Sequence, residues 1–141
     1  MKVSTEQTLI LIKPDGVKRG LVGEVINRIE KNGYKVTNLK MLTADASLLT
    51  QHYAEHEGKV FYEPLIEFMA SGPIVAIVAQ GDRVIEGFRK MAGATDPANA
   101  EAGTIRGDLA GEQGGKVVQN IVHGSDSVES ANREIKIFFG N

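Results

Sequence analysis

The hydrophobic positions of this chain fall into two patterns, short continuous runs and spacings of three or four residues. A continuous apolar run bounded by turn signals predicts a buried strand. The clearest run, Thr8 to Lys13, stops at Pro14-Asp15-Gly16, which is a strong turn signal. On this pattern the sequence predicts four strands, at Thr8–Lys13, Tyr34–Met41, Ile74–Ala79 and Val117–Val122.

Spacings of three and four predict amphipathic helices between these strands. The first helix follows Leu21, and Gly33 supplies a C-terminal cap after its last turn. The other predicted helices are Ser47–His56, Tyr62–Ala70, one that follows Gly81-Asp82 and runs to about Met91, and one from Val128 to Phe138. The segment Gly93–Gly115 contains six glycines and little periodicity, which predicts a long loop of the kind that is usually functional or disordered.

The order of these elements favours an α/β (α+β) fold. Strand, helix, strand, two helices, strand, helix, loop, strand and helix is the order of a ferredoxin-like split βαβ sandwich, a four-stranded antiparallel sheet covered by helices. A chain of 141 residues fits one domain, so we expect a single domain over residues 1–141.

Composition narrows the classes of partner and chemistry. A net charge of -2 gives no reason to expect nucleic acid or an anionic membrane as a partner. The chain has no cysteine, which excludes disulfides, thiolate metal sites and a cysteine nucleophile, and is compatible with a reducing cytosol. The N-terminal apolar run TLILI is too short for a signal peptide or a membrane span, so we expect a soluble, cytoplasmic protein.

One histidine stands where chemistry is common in α/β folds. His123, in QNIVHGSDSVESA, follows a predicted strand and precedes a helix whose cap is either Asp126, in a capping box with Glu129, or Ser127. A neutral imidazole there can act as a base, a metal ligand or a nucleophile toward phosphorus. Taken alone, an ordinary hydrogen-bonded loop histidine is the commoner interpretation.

Three basic residues form a second signal. Lys13 ends the first strand, Arg89 lies on a helix and Arg106 lies in the glycine-rich segment, where a guanidinium suits bidentate contacts with phosphate. Each of them, taken alone, is more often a solvated surface charge.

Two further motifs do not complete a known site. His52 and His56 in HYAEH have the spacing of a metal pair, but no third ligand is obvious, so we expect a partly exposed helix face rather than a zinc site. The stretch GEQGGKVV has Ala110 and Val117 where a phosphate-binding P-loop needs glycine and serine or threonine. A P-loop is therefore excluded.

Three motifs taken together identify a family. LIKPDG (Leu11–Gly16), GTIRGD (Gly103–Asp108) and NIVHGSDS (Asn120–Ser127) closely resemble nucleoside diphosphate kinase, and the match runs from about Thr8 to Phe139. The resemblance implies an enzyme that transfers the terminal phosphate of a nucleoside triphosphate to a nucleoside diphosphate. It implies a ping-pong mechanism through a phosphohistidine, broad base specificity, and Mg²⁺ that arrives with the nucleotide.

The resemblance also assigns roles to residues of this sequence. His123 matches the nucleophile, Glu134 the carboxylate that orients it, and Ser125 a member of the same network. Phe61 matches the aromatic residue that stacks on the base, with Tyr62 as the adjacent alternative. The residues that match those holding phosphates and sugar are Lys13, Tyr53, Arg89, Thr95, Arg106 and Asn120; Lys13 also serves catalysis.

The resemblance implies a homo-oligomer, for which we favour a hexamer over a tetramer. The connection Leu109–Gln119 is longer than the family's usual one by a few residues, which predicts a longer loop or hairpin. A non-catalytic binding module on the same sheet is the alternative, but the predicted strands lack the paired aromatics of an RNA-recognition domain. An inactive scaffold is disfavoured because each catalytic position carries the expected residue type.

Overall fold

The computed structural model describes residues 5–111 and 118–140 of the chain. Its strands are β1 (Glu6–Ile12), β2 (Lys35–Leu42), β3 (Ile74–Gly81) and β4 (Val122–Gly124). They form one sheet in the order β2-β3-β1-β4, and each neighbouring pair is antiparallel. The predicted four-stranded antiparallel sheet of a ferredoxin-like fold is confirmed.

Helices lie on both faces of this sheet. They are α1 (Pro14–Lys18), α2 (Val22–Lys31), α3 (Ala46–His52), α4 (Tyr62–Met69), α5 (Val84–Ala92), α6 (Ile105–Leu109) and α7 (Val128–Phe139), with short 3₁₀ turns at Ala54–His56 and Pro97–Asn99. No helix in the described parts of the chain is long and apolar enough to cross a membrane.

The central strand β1 explains why its sequence is a continuous apolar run. Successive side chains of a strand point to opposite faces. Ile10 and Ile12 pack with residues of α2 and α5 on one face, while Leu9 and Leu11 pack with residues of α3, α4 and α7 on the other. Because helices cover both faces, no position on the last five residues of β1 is exposed to solvent.

The fourth strand differs from its prediction. It was expected at Val117–Val122, but pairing with β1 covers only Val122–Gly124. Ile121 has a φ of 72°, in the left-handed region, so the chain turns sharply just before β4 and cannot extend the strand backward. Val117 lies outside the described residues, as does most of the longer connection predicted between Leu109 and Gln119.

Local hydrogen bonds account for two other differences. The glycine-rich segment contains α6, because the Thr104 hydroxyl caps its N-terminus by accepting the Gly107 N–H at 3.0 Å. Ser127, not Asp126, caps α7, since its hydroxyl accepts the Ser130 N–H at 3.0 Å. The capping box expected for Asp126 is therefore wrong, and the rival cap is confirmed.

Candidate active site

His123 lies on β4 and is fixed by a carboxylate from α7. Its Nε2 is 2.8 Å from Oε1 of Glu134, which is buried. The same Oε1 accepts the hydroxyl of Ser125 at 2.7 Å, and the Ser125 Oγ accepts the N–H of Leu9 at 3.1 Å. A carboxylate only accepts hydrogen bonds, so Nε2 carries the proton and Nδ1 keeps its lone pair.

His123 opens onto a cavity of about 940 Å³. Eight of the residues predicted from the sequence line it: Lys13, Tyr53, Arg89, Thr95, Arg106, Asn120, His123 and Glu134. Ser125 is fully buried behind Glu134, and Phe61 is not part of the wall. The fold thus gathers residues from four elements, α5, α6, β4 and α7, and from the connecting loops around one imidazole.

Lys13 is held by the side-chain amide of Asn120, and both residues line the cavity with His123. Its Nζ donates to Oδ1 of Asn120 at 2.9 Å, and Nδ2 of Asn120 donates to the carbonyl of Thr95 at 2.9 Å. Burial and then Arg106 lower the pKa of Lys13, the negative charge of Asp15 opposes both, and the pKa lies at about 8 as a result. The cationic form therefore persists at neutral pH and is lost as the pH rises through about 8.

Arg106 on α6 is tied to the backbone around the site. Its Nε, Nη1 and Nη2 donate to the carbonyls of Asn120, Gly93 and Val122 at 3.2, 2.8 and 2.8 Å. A guanidinium has five N–H donors, so two remain for a ligand in the cavity. Burial and then Arg89 lower the pKa of Arg106 to about 10, so it stays cationic at neutral pH.

Tyr53 presents a hydroxyl with no partner in the described parts of the chain. The oxygen is buried and the residue lines the cavity. Burial and the nearby Glu134 charge raise the pKa of Tyr53, so the hydroxyl remains a donor. Such a buried donor costs free energy unless a ligand accepts from it.

His52 lies against the site, which sequence reasoning missed. It was expected on a partly exposed helix face, yet it is only 3% exposed and its ring meets the His123 ring edge to face at 4.8 Å. Burial, then His123, lowers the pKa of His52 to about 2, so it stays neutral. Leu49, three residues earlier on α3, is also buried, and this helical spacing was the local signal.

A row of rings leads from His123 to the surface. His52 meets Tyr53 at 4.5 Å, Tyr53 meets His56 at 6.1 Å, and His56 meets Phe61 at 5.4 Å. Phe61 is 41% exposed, whereas Tyr62 packs partly buried against the core. We call His56, Lys59 and Phe61 the aromatic rim, because Nζ of Lys59 also lies 5.8 Å from the Phe61 ring.

A separate group of residues is joined by hydrogen bonds around His123. We call this group the polar cluster, and it consists of Lys13, Arg106, Asn120, His123, Ser125 and Glu134. A proton-fixed imidazole beside two buried or half-buried cations defines the site of a phosphotransferase on a ferredoxin-like sheet.

Comparison with known proteins gives the family. The family model described as "Nucleoside diphosphate kinase" matches residues 6–141. The chain belongs to the nucleoside diphosphate kinase family, and it is an enzyme that transfers phosphate between nucleotides. The family resemblance and the enzyme class predicted from the three motifs are confirmed, and so is the fold predicted from the order of the elements.

Relatives and a solved structure agree over nearly the whole chain. A nucleoside diphosphate kinase from Streptomyces coelicolor is 58% identical over 136 residues, which are 96% of each chain. One from Mycobacterium tuberculosis is 54% identical over 96% of this chain and 97% of its own. The structure of a halophilic nucleoside diphosphate kinase from Halobacterium salinarum in complex with CDP superposes with a TM-score of 0.90 at 41% identity, covering 98% and 90% of the two chains.

Proposed function

We propose that His123 carries the phosphoryl group between two nucleotides in a ping-pong reaction. The observation that supports this most strongly is the contact of Nε2 with Glu134, which leaves Nδ1 as the nitrogen with a lone pair in a ring that lines the cavity. In the first half-reaction Nδ1 bonds to the γ-phosphorus, the bond from that phosphorus to the β–γ bridging oxygen breaks, and the diphosphate leaves. In the second, a diphosphate oxygen attacks the phosphorus and the N–P bond breaks.

Glu134 and Ser125 support this chemistry electrostatically. When Nδ1 takes the phosphoryl group, Nε2 keeps its proton and the ring gains positive charge. The Glu134 carboxylate lies 2.8 Å from Nε2 and stabilises that charge. The Ser125 hydroxyl, at 2.7 Å, holds the same carboxylate oxygen in place.

The side chains that match the family's nucleotide-binding residues supply opposite charge and donors. Lys13, Arg89 and Arg106 line the cavity and can neutralise phosphate oxygens, which is the main task of the protein in phosphoryl transfer. The unpartnered Tyr53 hydroxyl can donate to the same oxygens. Asn120 and Thr95 hold Lys13 in position through the amide contacts described above.

We propose that Mg²⁺ arrives bound to the nucleotide phosphates. The cluster of possible metal ligands found among the described residues is His52, His123 and Glu134, whose ligand atoms lie within 4.8 Å of one another. Mg²⁺ prefers an octahedron of oxygen ligands, so two imidazoles and one carboxylate suit it poorly. Held by the phosphates of the nucleotide, the ion would supply positive charge against the negative charge that develops on the transferring group.

Broad base specificity is proposed to rest on the aromatic rim. The exposed ring of Phe61 can stack on any base, because every base has a π-face. Tyr62, the alternative in the sequence, is partly buried against the core and is less available.

The test of this proposal is the phospho-enzyme. Incubation with γ-labelled ATP and no acceptor should label the wild-type protein in an acid-labile, base-stable form, and His123→Ala should take up no label. Addition of a nucleoside diphosphate should remove the label from the wild type as triphosphate. Label that survives acid, or that persists in a folded His123→Ala protein, would contradict the assignment.

The oligomeric state and the cellular location of the protein are further proposals. The outer edge of β2 exposes Leu39 and Met41, which are 52% and 60% exposed. An open strand edge with apolar side chains is a surface that another copy of the chain can cover. We favour a homo-hexamer, with a tetramer as the alternative, and sedimentation velocity distinguishes them. The single domain and the cytoplasmic location stay predictions.

A further inference from the structure

Ile121 lies at the centre of a strained turn between Asn120 and β4. Its φ is 72°, and the N–H of Val122 donates to the carbonyl of Asn120 at 2.7 Å. A hydrogen bond from residue i+2 to residue i around a positive φ is a γ-turn, which is rare and strained for a β-branched residue. Surrounding structure must therefore hold Ile121 in place.

The segment after β1 holds Ile121 on both sides. The N–H of Lys13 donates to the Ile121 carbonyl at 2.7 Å, and the Ile121 N–H donates to Oδ2 of Asp15 at 3.0 Å. Gly16 is so close that a Cβ there would lie 3.0 Å from Cγ2 of Ile121. The LIKPDG motif therefore binds the turn directly, through the backbone of Lys13 and through Asp15 and Gly16, two residues to which the nucleotide chemistry gives no role.

The turn controls the residues on either side of it. Asn120 precedes Ile121 and holds Lys13 through Oδ1, while its carbonyl accepts Nε of Arg106. Val122 follows and accepts Nη2 of Arg106, and His123 comes next on β4. A change in the Ile121 backbone would therefore displace both cations and the nucleophile.

The Asp15 carboxylate is placed as a buried support rather than as a surface charge. The residue is 6% exposed, and its second oxygen, Oδ1, is buried without a hydrogen-bond partner among residues 5–111 and 118–140. Burying a carboxylate with an incomplete set of partners costs free energy, so this position is poor as a purely structural anchor.

We propose that Asp15 is a positioning residue for phosphoryl transfer. Its carboxylate fixes the γ-turn at Ile121, and its charge keeps the neighbouring Lys13 cationic beside Asn120. This inference rests on the proposed roles of Lys13 and His123.

The negative charge of Asp15 also acts on the charge of Lys13. Asp15 raises the pKa of Lys13 while burial and Arg106 lower it, which leaves it at about 8. The other charged or titratable groups that share the cavity with Lys13 include His52, Arg89, His123 and Glu134. A substitution at Asp15 leaves all of these in the chain, so a change in Lys13 titration is attributable to Asp15.

Two variants separate the charge from the hydrogen bond. Asp15→Asn keeps an oxygen that can accept the Ile121 N–H but removes the charge, whereas Asp15→Ala removes both. The matched control is Asp45→Asn, because Asp45 also accepts a backbone N–H, that of Leu48 at 2.9 Å, but caps α3 away from the cavity.

The pH dependence of kcat/KM reports the titration of the free enzyme. In Asp15→Asn we expect the fall of kcat/KM on the alkaline side to occur about one pH unit lower than in the wild type. ¹³C NMR of the Lys13 Cε should show the same shift without any turnover, with Lys13→Met used to assign the resonance. Asp15→Ala should lose about 100-fold in kcat/KM at neutral pH, the size expected when reacting groups are misplaced. Asp45→Asn should match the wild type in all three measurements.

A Lys13 titration in Asp15→Asn identical to that of the wild type would overturn the inference, as would an Asp15→Ala enzyme with wild-type kinetics. Should Asp15→Ala fail to fold, Asp15→Asn decides alone. Failure of the proposed function looks different, since the wild-type protein itself would then form no acid-labile phospho-enzyme.

Discussion

In the polar cluster the side chains are buried or half-buried and hydrogen-bonded, whereas in the aromatic rim the Phe61 ring is exposed and meets the half-buried His56 ring at a tilt of 59°. Glu134 and Ser125 are 5% and 0% exposed, and each bond that fixes His123 is 3.1 Å or shorter. Phe61, by contrast, is 41% exposed and touches His56 and Lys59. Under the proposed function, the phosphate group would meet a buried, hydrogen-bonded surface and the base an exposed ring.

The difference corresponds to what each part of a nucleotide requires. Phosphoryl transfer needs atoms placed in line and charges fixed in advance, which buried hydrogen-bonded groups provide. Acceptance of several bases needs contact without directional hydrogen bonds, which an exposed aromatic face provides. Substitutions in the two regions should therefore affect different kinetic constants.

The largest effect is expected at the carboxylate of the polar cluster. Glu134→Gln replaces an acceptor with an amide that can turn its NH₂ toward Nε2, which favours the wrong tautomer of His123. We expect kcat to fall by about 1,000-fold with little change in KM, as measured by single-turnover phospho-enzyme formation. Glu129→Gln, exposed on the same helix, is the control and should leave kcat unchanged; a loss below threefold in Glu134→Gln would count against the comparison.

A smaller effect is expected at the aromatic rim. Phe61→Ala removes the stacking surface, so KM for nucleoside diphosphates should rise about 30-fold, equivalent to about 2 kcal/mol of stacking, while kcat is retained. Val60→Ala is the matched control, since Val60 is 95% exposed beside it. If Phe61→Ala lowered kcat and left KM intact, the two regions would not divide the work as described.

The smallest effect concerns stability rather than turnover. The pKa of His52 is lowered to about 2, so the folded protein does not bind a proton there when the unfolded chain does. Above pH 6.5 His52 makes its full contribution to the free energy of unfolding. Below pH 6.5 this contribution falls by about 1.4 kcal/mol for each pH unit.

Urea unfolding at pH 7 and pH 5 measures this dependence. His52→Phe should be less sensitive to acid than the wild type, because it cannot bind a proton in either state. His56→Gln, altered in the aromatic rim, should keep the wild-type sensitivity. If the free energy of unfolding depended on pH equally in the wild type and in His52→Phe, burial of His52 would not be the cause of the acid sensitivity of the protein's stability.

Local sequence patterns predicted the strands that are buried on both faces. β1 and β3 are covered on both faces, so their apolar runs identify them directly. β4 was misplaced because no local pattern reveals that Asp15, more than 100 positions earlier, fixes Ile121 in a left-handed conformation. For His52 the helical spacing from Leu49 was a local signal of burial, but its depth comes from α3 packing against His123 and Phe138, which no local pattern reveals.

The polar cluster was predicted more completely than the fold details, because three contiguous motifs carry five of its six residues. Contacts within a motif keep their register whatever the loops do. What the motifs could not show is which residues bond to protein rather than to nucleotide, such as Arg106, three of whose donors are taken by backbone carbonyls.

Gly124 directly follows His123 on β4 and touches α5. A Cβ at this position would lie 2.6 Å from Cδ2 of Phe88, whose neighbour is Arg89. The bare backbone of Gly124 thus lets α5 pack directly against β4 beside the cavity that His123 and Arg89 both line. A larger residue would force Phe88 or α5 to shift, and under the proposed function that cavity would then fit the phosphates of a nucleotide less well.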